Sequence, residues 1–571
     1  MDTLKVQDWR YRKEDMDLAL NISSKLEIHP LLARLMVARG IKDAQSCYSI
    51  LNPHLRNLHD PFLLGGMSEG VERITRAASD GERLMIHGDY DVDGITASAL
   101  LYDSLKEVFG DRLDVFLPSR FEEGYGISPG CFDIMEEKGS SLLITVDCGI
   151  KAVSEIEQAV ERGFDVIVTD HHEPGEVLPV GATLIDPKLE DDPYPFKELA
   201  GVGVAFKMAT ALQVNEVTSM DVRESLDLVA VGTISDLVPL EDENRTLVHF
   251  GIEKLACTDR LGLQMLMKEA GLEPWKGLKA GDVSFKLGPR LNAAGRRGHP
   301  DMALDLLLTR DRIDAELFSR ELSTLNYKRQ AIGKKLVEDI TIQIEELGLG
   351  DDPAIIVAKE GWNPGVIGVS AARIMEIFGR PVVVISIEGK TARGSARSPK
   401  GFNMVEVLDS LEDVLLEHGG HERAAGLTIK TERIEEFRSS FNQLVDERYP
   451  DRVFTPVLDI DLDLSPGELD ITGMKAMENL GPFGMSNPHP VVSIRDVSVG
   501  YGTRSVGNGK HLKFTVTDGD LSLDCIWFNM GELEGRLSPG SIVTIAGQPD
   551  IHRWSGSENV QMKVQDMSLS G

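Results

Sequence analysis

The sequence predicts two α/β domains joined by a long helix and followed by a small β-barrel. Three observations lead there. From about residue 80 to 240, short β-branched runs (RLMIHG, LDVFLP, SLLITVDCG, DVIVTDHH, TLIDP) alternate with helical segments, the signature of a parallel sheet flanked by helices. From 311 to 348, apolar residues at Phe318, Leu322, Leu325, Ile332, Leu336, Ile340 and Ile344 keep helical spacing, interrupted only at Arg329. Beyond about 455 the texture turns to alternating β: in HLKFTVT, Leu512, Phe514 and Val516 face one way and Lys513, Thr515 and Thr517 the other.

Each element follows in order. Residues 1–75 are rich in helical and loop signals and form an N-terminal helical segment. Residues 76–310 form the first α/β domain and 311–350 the connecting helix. A second α/β domain at 351–450 opens on AIIVAKEG and contains PVVVISI. Four or five strands within 455–571 suit a small closed barrel such as an OB-fold.

A chain of 571 residues is too long for one core and suits three or four domains. No stretch approaches the roughly 20 apolar residues of a membrane span, and the N-terminus lacks the apolar core of a signal peptide, so a cytoplasmic location and no membrane partner are expected. The five cysteines are scattered without a CxxC pair, so neither a zinc ribbon nor a disulfide framework is indicated. The net charge of −32, from 60 basic and 92 acidic residues, argues at first sight against a polyanionic partner. A metal-dependent phosphodiesterase nevertheless concentrates carboxylates, and a polyanion needs only one local basic track.

The strongest chemical signal lies in LMIHGDYDVDGIT, where an apolar run ends in Asp89, Asp91 and Asp93 at every second position. On an extended backbone alternate side chains project to one side, and three carboxylates so close repel unless a cation lies among them. A hard divalent cation meets that need. The competing reading is a solvated turn with helix-capping aspartates. LLITVDCGI delivers Asp147 at the end of another apolar strand, DVIVTDHHEPG delivers Asp170, His171 and His172 together, and LDLVAVGTISDLVPL supplies Asp236 after an apolar helix. A lone strand-end Asp is often only a cap, and a His pair can be structural. Together, however, these segments bring at least four carboxylates and one or two imidazoles to one sheet edge, where open α/β sheets hold ligands. Mixed Asp and His ligation favours Mn²⁺, with Mg²⁺ the alternative. Two metals sharing a bridging Asp would activate water and stabilise the leaving oxygen of a phosphoester.

The ordered set DYDVDG, VDCG, DHH and SDLVP resembles the DHH phosphoesterase superfamily. Within it, SRFEEGYG, AGVGVAFK, GPRLNAAGR, GWNPGVIGVSAARI, GSARS and GGHERAAG resemble the RecJ family of single-stranded-DNA exonucleases, in the family's order from about residue 80 onward. The resemblance makes 76–310 a DHH catalytic domain, 351–450 a DHHA1-like substrate-binding domain and 455–571 an OB-fold nucleic-acid-binding domain. It implies hydrolysis of single-stranded DNA from the 5′ end to 5′ mononucleotides by a two-metal mechanism with Mn²⁺ or Mg²⁺. Work in DNA repair and recombination is implied as well, beside a single-strand-binding protein and a helicase.

Carried over motif by motif, Asp91 and Asp93 look like paired metal ligands, Asp147 the bridging ligand, His171 a ligand and Asp236 the last one. Asp89 either binds metal or orients a ligand, His87 is a possible extra ligand, and His172 would face the scissile phosphate. For nucleic acid the candidates are Arg290, Asn292 and Arg296 in a Gly-bounded loop, Ser395 and Arg397 in GSARS, and His421 in GGHERAAG. Arg120 and Tyr125 are a candidate 5′-phosphate hook, with an ordinary loop the equal alternative. On the barrel, Tyr501, Lys510, Lys513, Arg553 and Trp554 suit strand binding, while Trp527 reads as core. No segment beyond the barrel is expected to recruit a partner.

Two other readings stand beside the exonuclease. A phosphodiesterase of short oligonucleotides or cyclic dinucleotides would share the catalytic pair of domains but have no need of the barrel. A non-catalytic replisome scaffold, like the degenerate eukaryotic relative, would have lost ligand motifs, and here none is broken.

Overall fold

A computed structural model describes residues 7–119, 126–295, 300–450, 454, 456–554 and 557–569. The chain divides into two compact units. One comprises Asn52–Tyr327 with Gly481–His489; the other comprises Met1–Leu51, Lys328–Leu480 and Pro490–Gly571. The second unit contains the first described strand, β1 (Asp8–Tyr11).

The Asn52–Tyr327 unit is built on five parallel strands: β2 (Arg83–Gly88), β3 (Leu113–Phe116), β4 (Ser140–Val146), β5 (Asp165–Thr169) and β6 (Ala182–Ile185). Their spatial order is β3-β2-β4-β5-β6. The three central strands, β2, β4 and β5, are almost continuously buried because both faces are covered. Ile86, Ile144 and Ile167 enter one core with the helices Val92–Phe109 and Gly201–Val214. Met85, Leu143 and Val166 enter another with Phe132, Ile156 and Phe164. Parallel sheets demand that double cover. The chain leaves β2 toward β3 on one side and returns to β4 on the other. The crevice between the ends of β2 and β4 is therefore the topological switch point, the place where doubly wound sheets hold ligands.

The second α/β sheet lies in the other unit. It comprises β7 (Ile355–Glu360), β8 (Val382–Glu388), β9 (Thr391–Arg397), β10 (Leu415–His421) and β11 (Ala424–Lys430), in the order β10-β11-β9-β8-β7. Only β7 and β8 run parallel. The helix Pro364–Phe378 buries Val366, Ile367 and Ile374 against Ile355, Val357, Val382 and Val384. The helix Arg312–Leu347 is continuous through Arg329.

The C-terminal region adds β12 (Val457–Ile460), β13 (Leu462–Asp463), β14 (Val492–Val499), β15 (Arg504–Val506), β16 (His511–Thr517), β17 (Ser522–Trp527), β18 (Ile542–Trp554) and β19 (Ser557–Leu569). Pairing runs β14-β18-β19-β17-β16 and returns to β14 through Ser498↔Thr517 and Val499↔Val516. The alternation in HLKFTVT is realised, with Leu512, Phe514 and Val516 buried. Trp527 is 3% exposed and belongs to the core. The N-terminal segment belongs to this unit: β1 pairs in parallel with β12, and Trp9 donates from Nε1 to Asp566 Oδ2 at 2.7 Å. No helix among the described residues is long and apolar enough to cross a membrane.

Candidate metal centre and nucleic-acid face

The acidic triplet begins where β2 ends. Asp91 caps the helix Val92–Phe109, accepting from the backbone N–H of Asp93 (2.8 Å) and of Gly94 (3.2 Å). Asp93 lies in the first turn of that helix, and its carboxylate accepts from the N–H groups of Gly201 (2.6 Å) and Val202 (2.9 Å), which open another helix. Two helix N-termini thus stabilise negative charge here. Asp147 follows β4 with a left-handed backbone, φ 61°, an uncommon conformation for a side chain other than Gly or Asn. Gly201 is required beside it: a Cβ there would stand 2.6 Å from Asp147 Oδ1. Gly232 plays the same part for Asp93, since its Cβ would come within 2.8 Å of Oδ1.

His171 emerges two residues beyond β5 into this group. Its Nε2 is 3.0 Å from Asp147 Oδ1, 3.7 Å from Asp236 Oδ2 and 3.8 Å from Asp93 Oδ2. Asp236 ends the helix Leu226–Ser235. Potential ligand atoms gather in three overlapping sets, each within 4.8 Å: Asp89, Asp91 and Asp147; Asp93, His171 and Asp236; Asp147, His171 and His172.

Burial and mutual repulsion shape the charge of this cluster. Burial, then the Asp91 charge, pushes the Asp93 carboxyl up to about 7. Asp147 and Asp236 are raised well above the usual carboxylate range by burial and by the surrounding aspartates. Burial, helped by His172, lowers His171 to about 3, which leaves the ring neutral with a lone pair to offer. Nε2 of His171 and Oδ1 of Asp147 are buried and lack a hydrogen bond of good geometry, although they lie close together. Buried polar atoms rarely go unsatisfied. A neutral imidazole and several carboxylates, some of their atoms unsatisfied, fit a hard divalent cation in donor type and charge.

Asp170 stands outside the three sets of potential ligands, and the sequence assigns it no role. Its Oδ1 receives the N–H groups of His171 (2.7 Å) and His172 (3.2 Å) and lies 2.7 Å from His172 Nδ1; Oδ2 receives the N–H of Ile150 (2.9 Å). Burial alone would pull His172 down, but the hydrogen bond and charge of Asp170 raise it. The signal was its place as the first acid of DHH. Asp186, after β6, was missed as well: its carboxyl is buried and pushed up to about 7 by that burial. His87, the possible extra ligand, belongs to none of the three sets. Its Nε2 receives the Ser128 N–H at 3.1 Å, Cys148 Sγ lies 3.8 Å from Nδ1, and burial lowers the ring to about 4.

GPRLNAAGR is not the loop expected. Residues Gly288–Gly295 form a helix, because both glycines serve close packing and not chain reversal. A Cβ at Gly288 would stand 2.6 Å from Ser235 Oγ, and one at Gly295 would stand 2.5 Å from the Tyr90 carbonyl. The helix therefore runs from the neighbour of Asp236 to the acidic triplet. Arg290 is buried on it, and Asn292 is half-buried. Arg120, Tyr125 and Arg296 lie outside the described residues.

In the second sheet, Arg397, Ala424 and His421 form one cross-strand row, and Ser395, Gly426 and Gly419 the next. A Cβ at Gly419 or Gly426 would meet nothing, so the backbone lies open. Arg397 donates to Ser395 Oγ at 3.1 Å and packs against Gly368 of the flanking helix. On β15 and β16, Arg504 faces Lys513 in register, and neither has an ion-pair partner among the described residues. Like charges directly opposite repel, which an anionic ligand would relieve. Tyr501 is 91% exposed beside them; Arg553 instead pairs with Glu558 at 2.9 Å.

A doubly wound sheet with aspartates and histidine at its switch point, linked to a second mixed sheet, defines a DHH-type phosphoesterase. Family models agree: the DHH family N-terminal domain matches residues 83–233, the DHHA1 domain 351–447 and the RecJ OB domain 460–566. The single-stranded-DNA-specific exonuclease RecJ of Bacillus subtilis (strain 168) is 41% identical over 565 residues, covering 98% of this chain and 71% of the relative. That of Escherichia coli (strain K12) is 33% identical, covering 98% and 99%. A crystal structure of RecJ in complex with Mn²⁺ from Thermus thermophilus superposes with a TM-score of 0.83 at 31% identity, covering 98% of this chain and 79% of that one. The chain belongs to the RecJ family of single-stranded-DNA-specific exonucleases.

Proposed function

We infer that this protein hydrolyses single-stranded DNA in the 5′→3′ direction to 5′ mononucleotides, using two divalent cations at the switch point between β2 and β4. The observation that carries the reading is the convergence of Asp89, Asp91, Asp93, Asp147, His171 and Asp236 within three ligand-distance sets in a chain of this family. Asp91, Asp93, Asp147, His171 and Asp236 would hold the metals, Asp147 as the bridge, with Asp89 a ligand or an orienting group. When bound, a pair of Mn²⁺ or Mg²⁺ ions lowers the pKa of the attacking water and offsets the charge developing on the phosphate. Solved relatives with each ion support both metals.

The protein's own groups do the rest. Gly201 and Val202 fix the Asp93 carboxylate, so its orientation is set before any ligand arrives. Asp170 holds Nδ1 of His172 and favours the charged ring, which leaves Nε2 to donate to a phosphate oxygen. Arg290 and Asn292 beside the centre, and Ser395, Arg397 and His421 on the open sheet face, suit further phosphates. In the barrel region Arg504 joins Tyr501, Lys510 and Lys513 as strand contacts. The same reading takes 1–75 as an N-terminal helical segment, 76–310 as the catalytic domain, 311–350 as the connecting helix, 351–450 as the substrate-binding domain and 455–571 as the nucleic-acid-binding domain. Action beside a single-strand-binding protein and a helicase in repair and recombination belongs to the same reading.

The test is 5′-phosphorylated single-stranded DNA labelled at either end, incubated with Mn²⁺ or EDTA and compared with duplex and RNA. The 5′ label should appear at once as mononucleotide, while the 3′ label stays on a shortening strand. Hydrolysis confined to dinucleotides or cyclic dinucleotides would instead favour the short-substrate phosphodiesterase.

A further inference from the structure

The helix that walls the metal centre carries an anomaly. Arg290 is 7% exposed, yet all its partners are neutral: Nε donates to Ser323 Oγ at 3.2 Å and Nη1 to the Lys286 carbonyl at 2.6 Å. No carboxylate pairs with it among the described residues. Buried cations are ordinarily paired, so this guanidinium is set up for an anion. Its remaining neighbour is an aromatic face, with the Tyr327 ring centroid 5.9 Å from Cζ. Tyr327 is 58% exposed.

A second exposed ring stands on the preceding turn. Residues Val283–Leu287 form a π-helical turn, a rare element enriched at functional sites. Phe285 lies in this π turn, one turn before Arg290 on the same helical stretch. Phe285 is 79% exposed, with its ring near Gly281. The same turn supplies the carbonyl that holds Arg290. One exposed ring at the guanidinium and another in the adjoining π turn thus accompany an uncompensated buried cation, on a helix whose ends touch the neighbours of Asp236 and Asp91.

We propose that Phe285 and Tyr327 are base-stacking residues that position the single strand, each taking a nucleobase while Arg290 holds a phosphate of the same strand. This rests on the proposed action on single-stranded DNA and adds residues that recognise bases, not phosphates. Stacking on an aromatic face is indifferent to sequence, as an exonuclease that must process every base requires. The charge of Arg290 selects a polyanion over an apolar peptide for this surface.

The experiment uses the full chain in EDTA and compares oligo-dT with an abasic strand of equal length by fluorescence anisotropy. The variants are Phe285→Leu and Tyr327→Leu, with Tyr327→Phe retaining the ring. Both side chains are exposed, so leucine should leave the melting temperature unchanged. Each leucine variant should weaken oligo-dT binding by about fivefold or more, the lower end of base–aromatic stacking. Affinity for the abasic strand should stay the same, and Tyr327→Phe should behave as the parent. A 2-aminopurine walked along the strand should be quenched at a position where the leucine variants restore its fluorescence. Equal loss on both strands, or no loss on either, overturns the stacking role. The parallel cleavage assay with Mn²⁺ separates the two levels: a parent that cleaves while the leucine variants bind oligo-dT normally refutes the platform alone. A parent that cleaves no single strand refutes the function and the platform with it.

Discussion

The two α/β sheets carry their functional residues in opposite ways. In the first, every strand is parallel, and the candidate ligands gather at the ends of strands and helices: Asp89, Asp147 and His171 leave β2, β4 and β5 into a buried crevice, and Asp236 ends a helix. Backbone fixes several of them: two helix N-termini hold Asp91 and Asp93, and a left-handed residue aims Asp147. In the second, most pairs are antiparallel, and the residues lie mid-strand or at strand ends on an open face, Ser395 and Arg397 beside bare glycine backbone. A buried ion site needs rigid convergence of a few atoms. A surface for a repetitive polyanion needs reach and close approach. The first sheet should therefore govern the chemical step and the second the affinity.

Substitution should expose that division most sharply at Asp147. Asp147→Asn removes the central carboxylate with little change in volume, and kcat should fall on the order of a thousandfold or more, with strand binding in EDTA nearly unchanged. Retained turnover at saturating Mn²⁺ would break the comparison at its strongest point.

Asp170→Asn probes the layer behind the ligands. The asparagine keeps the shape but not the charge that raises His172, so activity should drop by about 10–100-fold, as for residues that orient ligands. The alkaline limb of the kcat profile should also move to lower pH, because His172 would lose its proton sooner. An unshifted profile would mean that Asp170 serves only the loop.

Arg397→Ala tests the second sheet. KM should rise by about tenfold with kcat nearly preserved, and the dependence of log affinity on log salt should flatten by about 0.7, the contribution of one phosphate on a single strand. A loss in kcat of the size seen for Asp147→Asn would erase the distinction between the sheets.

The parallel sheet and its acids were legible because carboxylates and histidines ending apolar runs are anomalous in a core. Asp89, Asp91, Asp93, Asp147, His171 and Asp236, proposed from the sequence, each fall in one of the three sets, whereas His87, the possible extra ligand, falls in none. The rest was hidden for physical reasons. Asp170 looks like another strand-end acid, and only its four hydrogen-bonding contacts, three of them to the two histidines, set it apart from the candidate ligands. Gly288 and Gly295 read as turn residues, since sequence does not distinguish a glycine needed for chain reversal from one needed for contact with a distant backbone. The pairing of β1 with β12 joins segments some 450 residues apart, and four residues of β1 carry too little pattern to announce it. The alternation of HLKFTVT, by contrast, is local and survived intact.

The smallest expected effect concerns pH and separates the buried site from the open face without any substrate. Asp93 titrates at about 7 in the fold and Asp147 and Asp236 are also raised, all by burial first. Their unfolded values lie near 4. Between those limits the folded protein binds more protons than the unfolded chain, so stability without metal falls as pH rises. This contribution is fully present below about pH 4 and is lost as pH passes about 7. Divalent metal needs the ionised carboxylates and compensates their repulsion, so its benefit should grow over the same interval. Melting temperature should be measured in EDTA and in Mn²⁺ at about pH 5.5 and 8, with the readout being the gain due to metal. Acids elsewhere titrate under both conditions and cancel in that difference. The gain should be larger at the higher pH, on the order of several degrees. Asp93→Asn should shrink it, whereas Arg397→Ala, on the other sheet, should leave it unchanged. A gain independent of pH would mean that the cluster is already ionised in the metal-free fold, and the contrast between a strained acidic centre and a relaxed binding face would fail.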